Sequence, residues 1–297
     1  MKGRIFVAVI LVAAAAFAGR WVNRAESVGR VGNARAETRQ TFRLDPGARV
    51  EVGRLNGRVE VRTADTDTAE VHIVRTASSP EDLESNGVAV EGSPSSLVVR
   101  GERRGGGFWR WLSGGGGARH EVTLTLPRRV ELSASHVNGG LSVGEVEGPV
   151  EVSHVNGRVE VAQSAGRSEV SHVNGGVRFG VSRLGAEGME VSHVNGGVEI
   201  RFRQAADADV EVEHQNGGLS VNVPNLTRRE RIDRSNTRLR FGAGGSPVHV
   251  SHVNGGVRFE SGAGGAGLVN AADTVDAAGA LPPLPPPPPA LPAPPAQ

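Results

Sequence analysis

Residues 150–161 read Val-Glu-Val-Ser-His-Val-Asn-Gly-Arg-Val-Glu-Val, a run in which apolar and polar positions alternate, stumble once and resume. Val150-Glu151-Val152 and Val159-Glu160-Val161 have the period of two expected of half-buried strands, apolar on one face and wet on the other. Ser153-His154 breaks the alternation and Val155 restores it. Asn156-Gly157 then supplies two residues that tolerate positive φ at little cost, so a turn is predicted there. Near-copies of Ser-His-Val-Asn-Gly begin at residues 135, 153, 171, 192 and 251. The equivalent asparagines are Asn138, Asn156, Asn174, Asn195, Asn216 and Asn254. With a degenerate copy at Asp233-Arg234-Ser235-Asn236 placed before the last, successive spacings are 18, 18, 21, 21, 20 and 18 residues. An earlier cousin, Arg54-Leu55-Asn56-Gly57, precedes the array.

Self-similarity at a period near 20 marks stacked architectures. Two of them use this pattern. In an antiparallel hairpin array each Asn-Gly closes a two-stranded hairpin. In a parallel β-helix or β-solenoid of about 18–21 residues per coil, each Asn-Gly is a corner, and every residue lies about 4.8 Å above its counterpart in the coil below. Only the second gives a reason for identity at Ser, His and Asn, because stacked asparagines hydrogen-bond amide to amide. The expectation is therefore an all-β chain with a parallel β-solenoid over residues 40–260, the hairpin array being the alternative. Region 40–134 supplies the first coils and a cap, with strands predicted at Arg49–Val52, Arg58–Arg62, Glu70–Val74, Val88–Glu91, Leu97–Arg100 and Glu121–Leu126.

The chain ends bear on location. Lys2 and Arg4 precede an apolar run, Ile5–Ala18, that closes on Ala16-Phe17-Ala18. This is the layout of an export signal, residues 1–18, and the run is short of the roughly 20 residues that span a bilayer. An uncleaved anchor reaching Trp21-Val22 is the alternative. Residues 19–39 read as linker. There are no cysteines, so disulfides, thiolate metal sites and a lipid-bearing cysteine are excluded. After the repeats, 261–280 is a Gly/Ala linker, and 281–297 is a proline-rich disordered tail with five consecutive prolines at 285–289. A formal charge of +1 provides no field for nucleic acid.

Three stretches resemble the bacterial putative adhesin family: Thr41–Arg62 (TFRLDPGARVEVGRLNGRVEVR), Glu121–Val143 (EVTLTLPRRVELSASHVNGGLSV) and Ser246–Phe259 (SPVHVSHVNGGVRF). The shared order is strand, Leu-Pro, strand, Val-Asn-Gly, strand, over roughly residues 40–260. The resemblance implies a β-helix-like fold outside the cytoplasm and no established enzymatic activity, cofactor or catalytic residue. The uniform histidine, a Gly-rich insertion and the proline tail depart from the family pattern.

Candidate chemistry is sparse. His136, His154, His172, His193, His214 and His252 fall at equivalent positions, and stacked imidazoles are candidate ligands for Zn²⁺, Ni²⁺ or Cu²⁺. No Asp, Glu or Cys accompanies them systematically, so a ladder without ligand is the plainer expectation. Ser-His adjacency is not a triad, because strand neighbours face opposite sides and no orienting carboxylate follows the motif. Glu151, Glu160, Glu190 and Glu199 occupy outward positions that suit solvation rather than the paired carboxylates of a glycosidase. The insertion Gly105–Gly117 carries Phe108, Trp109, Trp111 and Leu112 as an apolar finger, a candidate contact for a partner or a membrane interface. Taken together, the residues predict a non-enzymatic exported protein of the periplasm, cell envelope or exterior. Its surface is adhesin-like or a scaffold, with an envelope protein or surface glycan as the class of partner and no cofactor. Alternatives are a polymerising scaffold similar to the bactofilins, a metal-binding histidine ladder and a carbohydrate-active β-helix enzyme.

Overall fold

In the repeats, valine at alternate positions gives the strands one face that water rejects, and the backbone groups of such strands must pair with a neighbour. The computed structural model describes residues 34–103 and 117–261, and within them the chain is all-β. The export signal, most of the 19–39 linker, the finger residues Phe108, Trp109, Trp111 and Leu112, the Gly/Ala linker beyond Ser261 and the proline-rich tail lie outside the described residues. In chain order the strands are β1 (Ala34–Arg43), β2 (Ala48–Ala64), β3 (Thr68–Ala77), β4 (Asn86–Ser93), β5 (Ser96–Arg103), β6 (Arg119–Pro127), β7 (Val130–Asn138), β8 (Leu141–Val146) and β9 (Val150–Val155). They continue as β10 (Val159–Val173), β11 (Val177–Val194), β12 (Val198–Phe202), β13 (Ala208–Glu213), β14 (Leu219–Asn222), β15 (Leu226–Arg231), β16 (Thr237–Phe241), β17 (Ser246–Val253) and β18 (Val257–Ser261). One six-residue helix, α1 (Pro80–Ser85), is capped by the Ser79 side chain, which accepts from the Asp82 N–H. All six strand segments read from region 40–134 fall within β2–β6. The segment read as linker already contains the start of a strand, because β1 begins at Ala34 and pairs with β3 along its whole length.

The strands pair in two rows. The first runs β4, β5, the first half of β2, β7, β9, the second half of β10, the second half of β11, β17, β13, β16 and β15. The second runs β1, β3, β6, the second half of β2, β8, the first half of β10, the first half of β11, β12, β18 and β14. The rows meet because β2, β10 and β11 turn a corner and continue from one to the other. Each Ser-His-Val-Asn-Gly corner carries the chain from a first-row strand to a second-row strand, and together these make one layer. Neighbouring layers pair in parallel and in register, Val150 on Leu132, Ser168 on Val150 and Met189 on Ser168.

No Asn-Gly in the described residues closes a hairpin. β7 and β8 flank Gly139-Gly140, yet each pairs in parallel with its own half of β2. The hairpin array is thereby excluded for the repeats. Among the described residues antiparallel pairing is confined to the ends: β1–β3–β6 and β4–β5 on one side, β13–β16–β15 on the other. The end strand β15 carries Arg228, Arg229, Glu230 and Arg231, charges that discourage pairing with another chain.

Layer order departs from chain order at the C-terminal end. The last repeat, β17 and β18, lies between the β11/β12 layer and the β13/β14 layer. The degenerate copy Asp233–Asn236 is consequently no layer at all, which corrects the equivalence assigned to it above. Its Asp233 carboxylate accepts from the Ser235 and Asn236 N–H groups at 2.7 and 2.9 Å and curls the segment into a loop. Asn236 Oδ1 then accepts from the His214 N–H at 3.0 Å, covering the end of the stack.

The apolar faces meet in one continuous core. Within one layer Val150, Val152, Val155, Val159 and Val161 are all buried, matching the alternation of residues 150–161. Phenylalanine replaces valine toward the C-terminal end, where Phe241 of β16 packs edge-on against Phe202 and Phe259 at centroid distances of 5.8 and 5.9 Å. Phe241→Ala is expected to lower stability by about 3–5 kcal/mol through cavity formation. Ile232→Ser, at an exposed apolar residue, is expected to shift it by less than about 0.5 kcal/mol. Urea denaturation of the two variants checks the contrast.

Candidate functional site

The repeated corner explains its own spelling. In the copies that spell Ser-His-Val the pairing register passes from Ser to Val and skips the histidine, as in Ser153 on Ser135 and Val155 on Val137. The skipped residue lies in the left-handed region: φ is 54° at His136, 53° at His154, 54° at His172, 54° at His193, 49° at His214 and 53° at His252. This is the break in alternation seen in the sequence. The following residue is buried, valine in five layers and Gln215 in the sixth, and the asparagine turns out to solvent. The glycine is demanded by proximity, since a Cβ on Gly175 would stand 2.3 Å from the Gly157 carbonyl oxygen of the layer below. The next position has no such demand and holds Arg158 in one layer.

The asparagines form a single file of amides. Asn216 Nδ2 donates to Asn254 Oδ1 at 3.2 Å, and Asn254 donates to Asn195 at 3.0 Å. Asn195 donates to Asn174, Asn174 to Asn156 and Asn156 to Asn138, each at 2.9 Å. Asn138 donates to Asn56 at 3.0 Å, and Asn56 ends the file on the Ala118 carbonyl at 3.0 Å. Every donor points the same way, so the amide dipoles add. All six asparagines read from the sequence are brought together, and Asn56 joins them.

Beside this file the imidazoles stack in the order His136, His154, His172, His193, His252, His214. Successive ring centroids are 4.8, 4.7, 4.8, 4.8 and 4.6 Å apart, with planes within 8° of parallel. All six rings are exposed. The corner of β2 places Arg54 in the same column, also left-handed at φ 56°. A guanidinium therefore occupies the position that six other layers give to histidine. Among the described residues no three His, Asp or Glu side chains converge as a closed metal shell.

The outward carboxylates divide. Glu151 and Glu190 are exposed, as expected. Glu160 and Glu199 instead flank Arg178, which reaches them at 3.1 and 3.4 Å, and Glu199 also meets Arg201. Glu160, Arg178 and Glu199 line a groove of about 540 Å³ together with Arg158, Arg258 and Ser220. Each carboxylate there is answered by an arginine, which leaves no free acid–base pair.

One buried group was not read from the sequence. His120 in β6 is only 5% exposed, and its Nδ1 accepts from the Asn56 N–H at 3.2 Å where the amide file ends. No well-formed hydrogen bond reaches its Nε2. Burial pushes the imidazole below its ordinary value near 6.5, the Arg75 guanidinium pushes the same way, and the Asn86 carbonyl opposes them. An isolated His-Glu pair in a strand carries no sequence signal for this; only the register of β6 against β2 and β3 buries it.

No family model matches the chain, and no curated protein does. Solved structures do. A putative cell adhesion protein from Clostridium sporogenes is 10% identical, with 76% of this chain and all of that one covered, at a TM-score of 0.39. A putative adhesin from Bacteroides fragilis is 10% identical over 75% of this chain and 96% of that one, at 0.33. A putative adhesin from Parabacteroides merdae is 14% identical over 75% and 95%, at 0.24. They are the kind of protein named by the resemblance in the sequence. At these identities and scores no functional statement rests on them.

Two predictions follow from the corner and its buried end. His172→Asn keeps a residue tolerant of the left-handed region and is expected to be near neutral, whereas His172→Val is expected to cost about 1–2 kcal/mol; denaturant midpoints separate them. For His120 the folded value lies below the unfolded one, so the unfolded chain binds the extra proton as pH falls below about 6.5. Its contribution is therefore present above that pH and lost beneath it. Melting temperature is expected to drop from pH 7 to pH 5, and His120→Asn to show a shallower drop over the same window.

Proposed function

We propose that the chain is a non-enzymatic, exported cell-envelope protein whose stacked layers form one β-solenoid and present a rigid, adhesin-like or scaffold surface. The observation that carries this reading is the fate of the repeated phrase. Its valine fills the core, its asparagine hydrogen-bonds to its own counterparts, and its glycine permits the layers to approach. A motif so absorbed in holding layers together builds a wall, and the repeats leave no nucleophile–base–carboxylate arrangement beside it.

Parallel, in-register pairing over successive layers supports the solenoid, and the antiparallel ends serve as its caps. Export is supported by Lys2, Arg4 and the Ile5–Ala18 run. A surface of exposed, regularly spaced polar side chains suits attachment to an envelope protein or a surface glycan. Fractionation of cells producing the full chain, with intact-mass determination, tests the reading. The expected product sits in the envelope or exported fraction, either shortened by 18 residues or retained as an anchor. A full-length product confined to the cytoplasm overturns it and favours a polymerising internal scaffold.

A further inference from the structure

The histidine column is the part of the corner that structure alone does not require. Its backbone asks for a residue that tolerates positive φ, and glycine or asparagine meets that demand at least cost. Arg54 shows that the column folds without an imidazole. Nevertheless six layers carry histidine, each ring exposed, in one unbroken stack.

We propose that adjacent rungs of this ladder chelate borderline divalent cations, Cu²⁺, Ni²⁺ and Zn²⁺, two imidazoles to each ion. Imidazole nitrogen suits these ions, whereas Ca²⁺ and Mg²⁺ take oxygen. Metal–nitrogen bonds of about 2.0–2.1 Å require two ligating nitrogens to lie within about 4.1 Å of each other. The rungs stand 4.6–4.8 Å apart with parallel planes, so their lone pairs run side by side and binding must tilt two rings toward one another. Solvent exposure leaves the rings free to do so. Since no third protein ligand converges there, the remaining coordination positions stay open to water or to a donor from another surface. Six rungs in one file accommodate at most three ions in separate pairs. The ends differ in charge: Arg54 continues the column beyond His136, while the Asp233 carboxylate lies near His214. The first ion is therefore placed at His252 and His214.

Adjacency, as opposed to the number of histidines, is what the experiment must isolate. Two triple variants serve, both using asparagine, which tolerates the left-handed backbone. H136N/H154N/H172N leaves His193, His252 and His214 contiguous. H136N/H172N/H252N leaves His154, His193 and His214, no two of them neighbours. Isothermal titration of Cu²⁺ into the untagged full chain and both variants is expected to show binding of two to three ions to the unmodified chain. The contiguous variant should keep first-ion affinity within about threefold, and the alternating variant should lose about tenfold or more. Equal affinities for the two variants overturn the proposal, as does displacement of the bound ion by Ca²⁺. If the alternating variant does not fold, electron paramagnetic resonance of the unmodified chain loaded with one Cu²⁺ decides. Two imidazole nitrogens per ion support the proposal, and a single one overturns it.

Discussion

The stacked repeats follow from one condition: the strand residues of a layer lie directly on their counterparts, one strand spacing away, with local slips where β10 meets β11. Backbone pairing between parallel strands imposes it, Val on Val and Ser on Ser through successive layers. Whatever occurs once therefore recurs as a column. A column of glycine is needed where corners nearly touch, because a Cβ there would collide with the carbonyl below. A column of asparagine is self-sufficient, since each amide has one donor and one acceptor facing along the stack. A column of valine zips the core. The repeated phrase is the sequence record of these columns.

The same condition explains why layer order escapes chain order. Any repeat fits beside any other as far as Asn and Gly are concerned, so neighbours are chosen by the remaining positions. The outward column of the second row reads Glu160, Arg178, Glu199 in consecutive layers, opposite charges in contact. Inserting the last repeat next sets Arg258 against Glu199, and Ser220 follows on its far side. It also sets Phe259 on Ile200 and within reach of Phe202 and Phe241. Chain order would instead place Ser220 and Val221 there. Alternating charge and a phenylalanine cluster thus outweigh sequential adjacency. Ion pairs near the surface contribute little singly, but as a column they distinguish one neighbour from another.

Much of this was legible in the residues. Alternation marked the strands, identity at Asn138, Asn156 and Asn174 implied stacking, and the Ser-His stumble marked the corner. The rest depended on long-range pairing. β1 (ARAETRQTFR) has almost no apolar alternation to read and is a strand because β3 hydrogen-bonds to it. The Asp233–Asn236 copy kept the letters of the phrase but not its environment, and its carboxylate captured the nearby amides. Arg54 sat in a recognised cousin of the motif, yet nothing local says that its φ is that of the histidines. His120 is buried by strands from distant parts of the chain. Phenylalanines that look sparse in the composition are concentrated where the stack needs closing.

Identical rungs carry a cost of their own. If every layer were alike, a slip by one layer would leave the amide file and the valine core intact, and the stack would have no unique register. The departures from the repeat remove that freedom. Repeats of unequal length, 18 residues in one layer and 21 in the next, cannot trade places without straining the connection. A core column that passes from Val161 to Phe179 to Ile200 to Phe259 packs in only one order. The ends are closed by strands that obey a different rule, antiparallel β16 and β15 on one side and β3 and β1 on the other. Between those caps the amide file runs in one direction from Asn216 to the Ala118 carbonyl, so even the exposed ladder has a defined beginning and end. Repetition supplies the cohesion of this fold, and its small irregularities supply the uniqueness.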